Sequence, residues 1–471
     1  MSGKRFLAAV CAAVAAVGAA AQVQPKITAN DLKADVSFLA SDALEGRGTP
    51  SKGLDIAAEY IAAEFRRAGL EPAGDDGYFQ TADFTLVGRS PEGVELTLDL
   101  GGRKIKVDRG SMAVMEPGAV DLENVPMGVM TDASQDMGDK PVLVNSPRTR
   151  SWGNGHPPLV VLMVPSPGGR TGGAAVLQAV PSPYPPVLAV WDAALREGLA
   201  AGATDVKVTA HIPAPVAQPP VKLRNVIGVL RGSDPALKDT YLVLTAHYDH
   251  LGVRGTGEGD HIFNGANDDA SGTSSVVEIA KALAALTQRP RRSIVFLTLF
   301  GEELGDLGSR YYCQHPVFPL AKTIADINLE QLGRTDDTEG PRPLQFNLTG
   351  FDYTDIAAFL SKAGGETGIR AVKHEKNSDS FFGRSDNAAF ADAGVPSTTL
   401  SVSYIFPDYH RPGDEWPKLD YDNMAKVDDA VALGVYRIAD SVEAPQWNKA
   451  NPKTARYVQA RENAGPAAKS Q

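Results

Sequence analysis

Hydrophobic and polar positions follow different periods in different parts of the chain. Between residues 27 and 70 the apolar positions recur at helical spacing, as Ile56, Tyr60 and Phe65 do. From about residue 83 the pattern changes to short alternating runs separated by glycine and proline, and FTLVGRSPEGVELTLDLGGRKIKV predicts hairpin strands. The change of period indicates that the chain enters a second domain at this point.

Strand and helix patterns alternate along the later part of the chain. The strand patterns are YLVLTAH, SIVFLTLF, TIADINLEQLG and PSTTLSV, and the helical patterns between them include SGTSSVVEIAKALAAL and YTDIAAFLSKAG. Strands that alternate with helices imply a largely parallel sheet with both faces covered. The predicted fold class is therefore α/β: a mostly parallel twisted sheet sandwiched by helices, with an inserted β-rich domain.

Composition divides the chain into five predicted segments. They are a signal peptide at 1–21, the N-terminal part of the main domain at 22–93, a β-rich insert at 94–213, the rest of the main domain at 214–445, and a polar tail at 446–471. The insert is rich in proline, glycine and valine, and PVAQPPVK is its exit linker.

The N-terminus has the features of a secretory signal peptide. Lys4 and Arg5 precede the apolar run FLAAVCAAVAAV, which is too short to span a bilayer. Ala19 and Ala21 form an A-x-A pattern, so we expect cleavage after Ala21 and a secreted or periplasmic location. The mature chain then contains one cysteine, Cys313, and no internal disulfide is expected.

Composition and charge limit the partners. The 471 residues are 43% hydrophobic and 22% charged, as in ordinary globular proteins. The net charge of −11 argues against nucleic acid, because phosphate binding needs a basic surface. No stretch after the N-terminus is apolar over the ~20 residues that a membrane helix needs, so no stable membrane insertion is expected. The oligomeric state is left open.

Polar residues follow the predicted strands and the loop before the long helix. Ligands of such sheets bind outside the carboxyl ends of the strands. Five segments bring polar side chains to that edge: His247 with Asp249, Asp268 with Asp269, Glu302 with Glu303, Glu330, and Tyr409 with His410. Imidazole and carboxylate are good ligands for Zn²⁺, so this edge is a candidate metal site.

The composition of this edge suits a pair of metal ions. Two neighbouring cations need a shared anion between them, and Asp268 is a candidate for it. The adjacent Glu302 and Glu303 leave their strand in different directions, so that one binds metal and the other moves protons as a general base. The remaining histidines are interpreted as structural: His156, His211, His250, His261, His315 and His374.

The motifs at these segments resemble a known family. In order and spacing, AHYDHLG, NGANDDASG, FGEELGDLGS, INLEQLGR and YH resemble the co-catalytic di-zinc aminopeptidases, whose relatives include glutamate carboxypeptidase and glutaminyl cyclase. The resemblance covers roughly residues 225–430. LASDALEGRGTPSKGLDIAAEYIAAEF resembles the family's N-terminal lead-in, and the insert resembles a protease-associated domain.

The resemblance implies a set of metal ligands and two zinc ions. His247, Asp268 and Glu330 would bind one zinc ion. Asp268, Glu303 and His410 would bind the other. Glu330 stands where the family usually has aspartate, and its longer side chain would alter the geometry of that metal.

The resemblance also implies catalytic roles. Glu302 would be the general base, and Tyr409 would hydrogen-bond the developing oxyanion. Asp249 would orient His247 by accepting the second ring N–H. In GRSDNAAF this chain has Asn387 where the family often has histidine.

The implied function is a secreted or periplasmic zinc metallo-exopeptidase with peptide substrates. We expect an aminopeptidase that removes N-terminal residues through a water molecule between two metal ions. A carboxypeptidase on the same scaffold is one alternative, with Arg334 and Arg384 available for a substrate carboxylate. The others are a cyclotransferase that uses one zinc ion and a binding or receptor domain without metal.

Overall fold

The structure is a computed structural model. It describes residues 26–132, 135, 137–145, 155–165 and 174–464. The predicted signal peptide, its cleavage site and the end of the predicted tail lie outside the described residues. Among the helices of the described part, none is both long and apolar enough to cross a membrane.

The helices and strands are numbered here in chain order. The described helices are α1 (Ala29–Leu39), α2 (Lys52–Arg67), α3 (Ala193–Ala200), α4 (Gly272–Ala284), α5 (Leu307–Gln314), α6 (Ile356–Thr367), α7 (Asn377–Ser380), α8 (Asn387–Asp392), α9 (Tyr421–Asp440) and α10 (Ala455–Asn463). The described strands are β1 (Glu71–Pro72), β2 (Phe79–Gly88), β3 (Glu95–Leu100), β4 (Arg103–Lys106), β5 (Met112–Glu116), β6 (Val120–Met130), β7 (Val142–Val144), β8 (Val160–Met163), β9 (Ala175–Ala179), β10 (Val187–Val190), β11 (Val206–Ile212), β12 (Val221–Leu230), β13 (Tyr241–His247), β14 (Gly252–Val253), β15 (Ile262–Phe263), β16 (Ser293–Leu299), β17 (Thr323–Leu329), β18 (Asp336–Asp337), β19 (Gly340–Pro341), β20 (Gln345–Leu348), β21 (Arg370–Val372) and β22 (Ser397–Ser401).

The chain forms two compact units. Among the described residues, the first extends from residue 26 to Ala73 and from Val226 to residue 464, and the second lies within Gly74–Asn225. The predicted insert, 94–213, lies within the second unit, which extends beyond it at both ends. The exact domain bounds remain predictions.

The first unit is built on a mixed sheet with a parallel centre. Its strand order is β21-β20-β22-β17-β13-β16-β12. Strand β13 runs parallel to β16 and β17, and β17 runs parallel to β22. Every residue of these four strands is buried, because helices cover a parallel sheet on both faces. The predicted α/β class is confirmed.

Successive residues of β16 pack against opposite layers of helices. The ring of Phe296 lies 6.4 Å from the ring of Phe65 in α2. Its neighbour Val295 belongs to a core cluster with Tyr312 of α5 and Phe390 of α8. Because side chains alternate along a strand, both faces of β16 are buried. This explains the unbroken apolar run that identified the strand in the sequence.

The second unit is rich in β-structure, as predicted. Its larger sheet has the order β4-β3-β11-β6-β7-β8-β10-β5. Strands β3, β11 and β6 pair antiparallel, whereas β6, β7, β8 and β10 pair parallel. Helix α3 adds Leu195 and Leu199 to the core that contains Leu96, Leu98 and Val208.

A lysine surrounded by carboxylates joins α1, α2 and α4. Lys281 Nζ lies 2.5 Å from Glu64 Oε2 and 2.6 Å from Glu278 Oε1. It lies 3.8 Å from Asp35 Oδ2, and the Tyr60 hydroxyl donates to Asp35 Oδ1 at 2.7 Å. Burial outweighs the tyrosine and the lysine and raises the pKa of Asp35 to about 7.

This pKa predicts how stability changes with pH. The unfolded chain has the ordinary aspartate pKa of 3.8, so the folded state binds the extra proton. The stabilisation from neutral Asp35 is complete below pH 4 and is lost as the pH rises through 7. We therefore expect the melting temperature of Asp35→Asn to vary less between pH 5 and pH 8 than that of the wild type.

Thermal unfolding of both proteins across this pH range measures the difference. Asp239→Asn is the control, because Asp239 is exposed and its replacement should leave the wild-type dependence unchanged. Identical pH profiles for the wild type and Asp35→Asn would show that Asp35 is already ionised in the folded protein.

Candidate metal centre and active site

The carboxyl ends of the parallel strands place the predicted residues side by side. Strand β13 ends at His247, and β17 ends one residue before Glu330. Strand β16 ends at Leu299, in register with His247, and Glu302 and Glu303 follow three and four residues later. The sheet thus brings residues that are distant in sequence to one edge.

The first group of possible ligands consists of His247, Asp268 and Glu330. His247 Nε2 lies 3.4 Å from Asp268 Oδ1 and 3.8 Å from Glu330 Oε1. One ligand atom from each of the three lies within 4.8 Å of the others. This is the set that the resemblance assigned to one zinc ion.

The second group lies on the other side of Asp268. Asp268 Oδ2 is 3.1 Å from His410 Nε2, and that nitrogen is 3.4 Å from Glu303 Oε1. His250 also contacts this group, with Nδ1 2.8 Å from Glu303 Oε1. Asp268 therefore presents one carboxylate oxygen to each group, as a bridging ligand does.

Hydrogen bonds from neighbouring backbone hold the Asp268 loop in place. The carboxylate of Asp414 accepts from the amides of Asn267 at 2.9 Å and Asp268 at 3.0 Å. Asp269 Oδ1 accepts from the amides of Gly272 at 2.9 Å and Gln331 at 3.1 Å. Asp269, which the sequence analysis placed at this edge, thus ties the loop to the segment after β17.

Several buried polar atoms in these groups lack a hydrogen-bond partner. They are His247 Nε2, both ring nitrogens of His250, Asp268 Oδ2 and Glu303 Oε1. A buried polar atom without a partner costs free energy, and native proteins rarely leave several together. Imidazole nitrogens and carboxylate oxygens that converge in this way fit a divalent cation such as Zn²⁺.

Opposite charges shift the pKa values of the second group strongly. Burial alone raises the pKa of Glu303, but the contacts with His250 and His410 outweigh it and lower that pKa to about 2. Burial lowers the pKa of His410, but the carboxylates of Asp268 and Glu303 raise it to about 10. The carboxylates are therefore ionised and attract positive charge, whether from protons or from metal ions.

The adjacent glutamates have opposite pKa shifts. Burial raises the pKa of Glu302 well above the usual value, and the neighbouring carboxylates of Glu330 and Glu303 raise it further. Glu303 has a lowered pKa instead. Two carboxyl groups whose environments separate their pKa values are suited to different tasks. Glu303 suits a metal, and Glu302 suits proton transfer.

Asp249 contacts His247 through its backbone and Glu302 through its side chain. His247 Nδ1 lies 3.1 Å from the main-chain oxygen of Asp249 and 3.6 Å from its Oδ1. The carboxylate accepts from the Glu302 amide at 3.1 Å and from the Thr49 hydroxyl at 3.1 Å. The carbonyl of Asp249 is therefore the nearest acceptor for the ring of His247. The carboxylate of Asp249 positions Glu302.

Tyr409 covers His410 at the exposed side of the site. Their rings stack with centroids 4.0 Å apart. Burial raises the pKa of the Tyr409 phenol above its usual value, and the carboxylates of Asp268 and Glu330 add to the shift. The phenol therefore stays protonated and can donate a hydrogen bond.

Arg47 is a structural component of the site that the sequence analysis missed. Its fully buried guanidinium donates to the carbonyls of Tyr248 at 2.8 Å, Asn264 at 2.7 Å and Gly265 at 2.9 Å, and also to that of Leu39. These bonds join the loop after His247 to the loop before Asp268. The sequence signal for this arginine is the motif LEGRG, which lies in the N-terminal lead-in.

The structure also gives the surroundings of Asn387 and His250. Asn387 is fully buried, donates to the Phe382 carbonyl at 2.9 Å and accepts from the Thr399 hydroxyl at 2.8 Å. It therefore supports the core near β22. His250, interpreted as structural from the sequence, lies in the second group beside Glu303.

Replacement of Arg47 tests its role as a clamp between the ligand loops. Arg47→Met leaves buried carbonyls without donors, at roughly 1–3 kcal/mol each. We expect the free energy of unfolding to fall by at least about 3 kcal/mol and zinc affinity to fall with it. Arg289→Met, at an exposed position, is the control. Chemical denaturation and zinc titration measure both effects, and wild-type zinc affinity in Arg47→Met would exclude the clamp role.

Comparison with known proteins identifies the first unit. Residues 225–435 match peptidase family M28. The aminopeptidase YwaD of Bacillus subtilis is 25% identical over 236 residues, which cover 49% of this chain and 48% of that protein. A probable zinc metalloprotease of Pyricularia oryzae is 36% identical over 211 residues, which cover 43% of this chain and 39% of that protein. The chain spans less than half the length of these curated relatives.

Solved structures share the fold. An aminopeptidase from Aneurinibacillus sp. strain AM-1 superposes with a TM-score of 0.52 at 20% identity, covering 90% of this chain and 97% of that one. The resemblance predicted from the strand-end motifs is confirmed, because residues 225–435 of this chain match peptidase family M28.

Proposed function

We propose that this protein is a zinc metallopeptidase that acts as an aminopeptidase on peptides. The observation that carries the proposal is the pair of ligand groups that share Asp268 beside Glu302, a carboxyl group with a raised pKa. Relatives named as an aminopeptidase and as a probable zinc metalloprotease support the same class.

Two zinc ions fit the ligand groups. His247, Asp268 and Glu330 would hold one, and Asp268, Glu303 and His410 would hold the other. When bound, the ions act as Lewis acids that polarise the scissile carbonyl and lower the pKa of water. The orphaned nitrogen of His247 and orphaned oxygens of Asp268 and Glu303 support this assignment.

The remaining steps belong to side chains of this chain. Glu302 accepts the proton of the attacking water and returns it to the leaving amine, a role that its raised pKa favours. Asp249 holds the Glu302 amide at 3.1 Å and thereby positions the carboxyl group. Tyr409 donates its phenolic proton in a hydrogen bond to the oxyanion that develops from the carbonyl.

One of the two nearby arginines is already paired with carboxylates, which favours the amino end of a peptide. Arg334, a candidate carboxylate receptor, is bound by Asp336 at 2.6 Å and by Asp408 at 2.9 Å. Arg384 is exposed and lies over the Phe381 ring at 4.6 Å, which keeps a carboxypeptidase as the second candidate.

Two further features of the proposal come from the sequence. The signal pattern before residue 22 supports work outside the cytoplasm, in the periplasm or the medium. The resemblance of 94–213 to a protease-associated domain supports a role for this insert in the choice of peptides.

A substrate panel tests the proposed activity. We expect hydrolysis of aminoacyl chromogenic amides, none of the matched N-acetylated amides, and loss of activity with a zinc chelator that added zinc restores. Peptides with a free carboxyl end and a blocked amino end are the comparison. Cleavage of only those peptides would indicate a carboxypeptidase, and metal-loaded protein that cleaves neither would contradict peptidase function.

Substitutions of the two adjacent glutamates should lower activity for different reasons. Glu302→Gln keeps the shape of the side chain but cannot accept a proton. This variant should keep its zinc, and its turnover number should fall by roughly 10²–10⁴-fold. Glu303→Gln removes an anionic ligand, so it should lose zinc first, and excess zinc should partly restore its activity. Steady-state kinetics with elemental analysis separate the two losses.

Glu366→Gln is the control, because Glu366 is exposed on α6. The opposite pattern of rescue by zinc would mean that the two roles are exchanged. Near-normal turnover of Glu302→Gln would place the general base elsewhere.

A further inference from the structure

We propose that His250 is a protein ligand of the second metal, in addition to Asp268, Glu303 and His410. This inference rests on the proposed function, because it requires a metal at that position. It changes the character of the site, since the second metal would be held by four protein groups and the first by three.

His250 lies beside Glu303, a proposed ligand of the second metal. The two atoms, Nδ1 and Oε1, are 2.8 Å apart, yet neither has a hydrogen-bond partner, so the pair is close without being aligned. Ligand atoms of one tetrahedral zinc ion lie roughly 3.3 Å apart, given bonds of about 2.0–2.1 Å. The contact of 2.8 Å is shorter than this spacing, but both atoms lack a hydrogen-bond partner and are therefore available to a common ion.

The other possible ligands of the second group lie slightly farther apart, at distances close to the spacing of ligands around one zinc ion. His410 Nε2 is 3.1 Å from Asp268 Oδ2 and 3.4 Å from Glu303 Oε1. One ligand atom from each of His250, Asp268 and Glu303 lies within 4.8 Å of the others. His250 therefore stands in the same relation to these carboxylates as His410 does.

The loop before Asp268 is shaped around the ring of His250. Gly265 has φ 62°, and a Cβ at this position would lie 2.4 Å from His250 Cγ. The amide of His250 donates to the carbonyl of Arg47 at 3.2 Å, and the residue is only 2% exposed. The imidazole is therefore held rigidly in the site, as a preorganised ligand is.

His410 occupies a more exposed position than His250. Its side chain is 38% exposed, whereas that of His250 is fully buried. Its backbone has φ 56° in the loop after β22. His250 would therefore keep the second ion bound when His410 is moved or replaced.

The two groups would then have different tasks. Three protein ligands, His247, Asp268 and Glu330, would leave a position open at the first metal for water or substrate. The second metal would have a fourth protein ligand and would bind water or substrate by expanding to five ligands. The second metal would therefore be held more tightly than the first.

Zinc titration of the metal-free full chain tests the inference. The variants are His250→Ala and His250→Asn, because the asparagine amide can replace a hydrogen-bond donor but is a poor zinc ligand. His247→Ala identifies the first ion by its loss, and His261→Ala is the histidine control. Circular dichroism checks that each variant is folded.

Removal of a metal ligand should weaken zinc binding by more than the roughly 10–100-fold that follows removal of a residue that only hydrogen-bonds a ligand. We expect both His250 variants to bind the second ion at least about 100-fold more weakly, with affinity for the first ion unchanged. His410→Ala should weaken the second ion less than His250→Ala does.

Other outcomes overturn the inference. Second-ion affinity within about 100-fold of wild type in His250→Ala would exclude His250 as a ligand. Recovery in His250→Asn would also exclude it and would indicate a hydrogen-bond role. These results leave the proposed function intact if the wild type binds two ions and cleaves peptides. Wild-type protein that binds no zinc would overturn both.

Discussion

The constraint on which this structure depends is the burial of many carboxyl groups at one edge of a sheet. Asp249, Asp268 and Asp269 are at most 2% exposed, and Glu302, Glu303 and Glu330 lie beside them. Like charges so close together in a poorly solvated place repel one another strongly. They are tolerable only if cations, protons or backbone amides balance each one.

The site divides these three means of compensation among its carboxylates. Asp269 and Asp414 use backbone amides and thereby fix the loop that carries Asp268. Asp268 and Glu303 face imidazoles and have lowered pKa values, which suits metal ligands. Burial raises the pKa of Glu302 by more than the nearby His247 lowers it, so Glu302 retains a proton more readily. Chemical function follows from the way each charge is compensated.

The surrounding fold supplies the rigidity that this arrangement needs. Four parallel strands buried on both faces fix the starting points of the ligand loops. Arg47 then joins two of those loops through backbone carbonyls, and Gly265 allows the ring of His250 to approach. The sheet and the N-terminal segment that carries Arg47 together fix the geometry of the ligands.

The sequence by itself determined the fold class and the main residues of the site. Apolar runs such as 294–299, alternating with helical patterns, predict strands buried on both faces, and the polar residues that follow them are then expected at one edge. Adjacent Glu302 and Glu303 already indicated two different roles.

Only the tertiary structure decided which partners those residues have. His250 looked like one loop histidine among several, because its distance to Glu303 depends on how two separate loops pack. The role of Arg47 depends on carbonyls about 200 residues away, which have no side-chain signature in the sequence. Spacing along a chain specifies local structure, whereas contacts between loops depend on the packing of the whole fold.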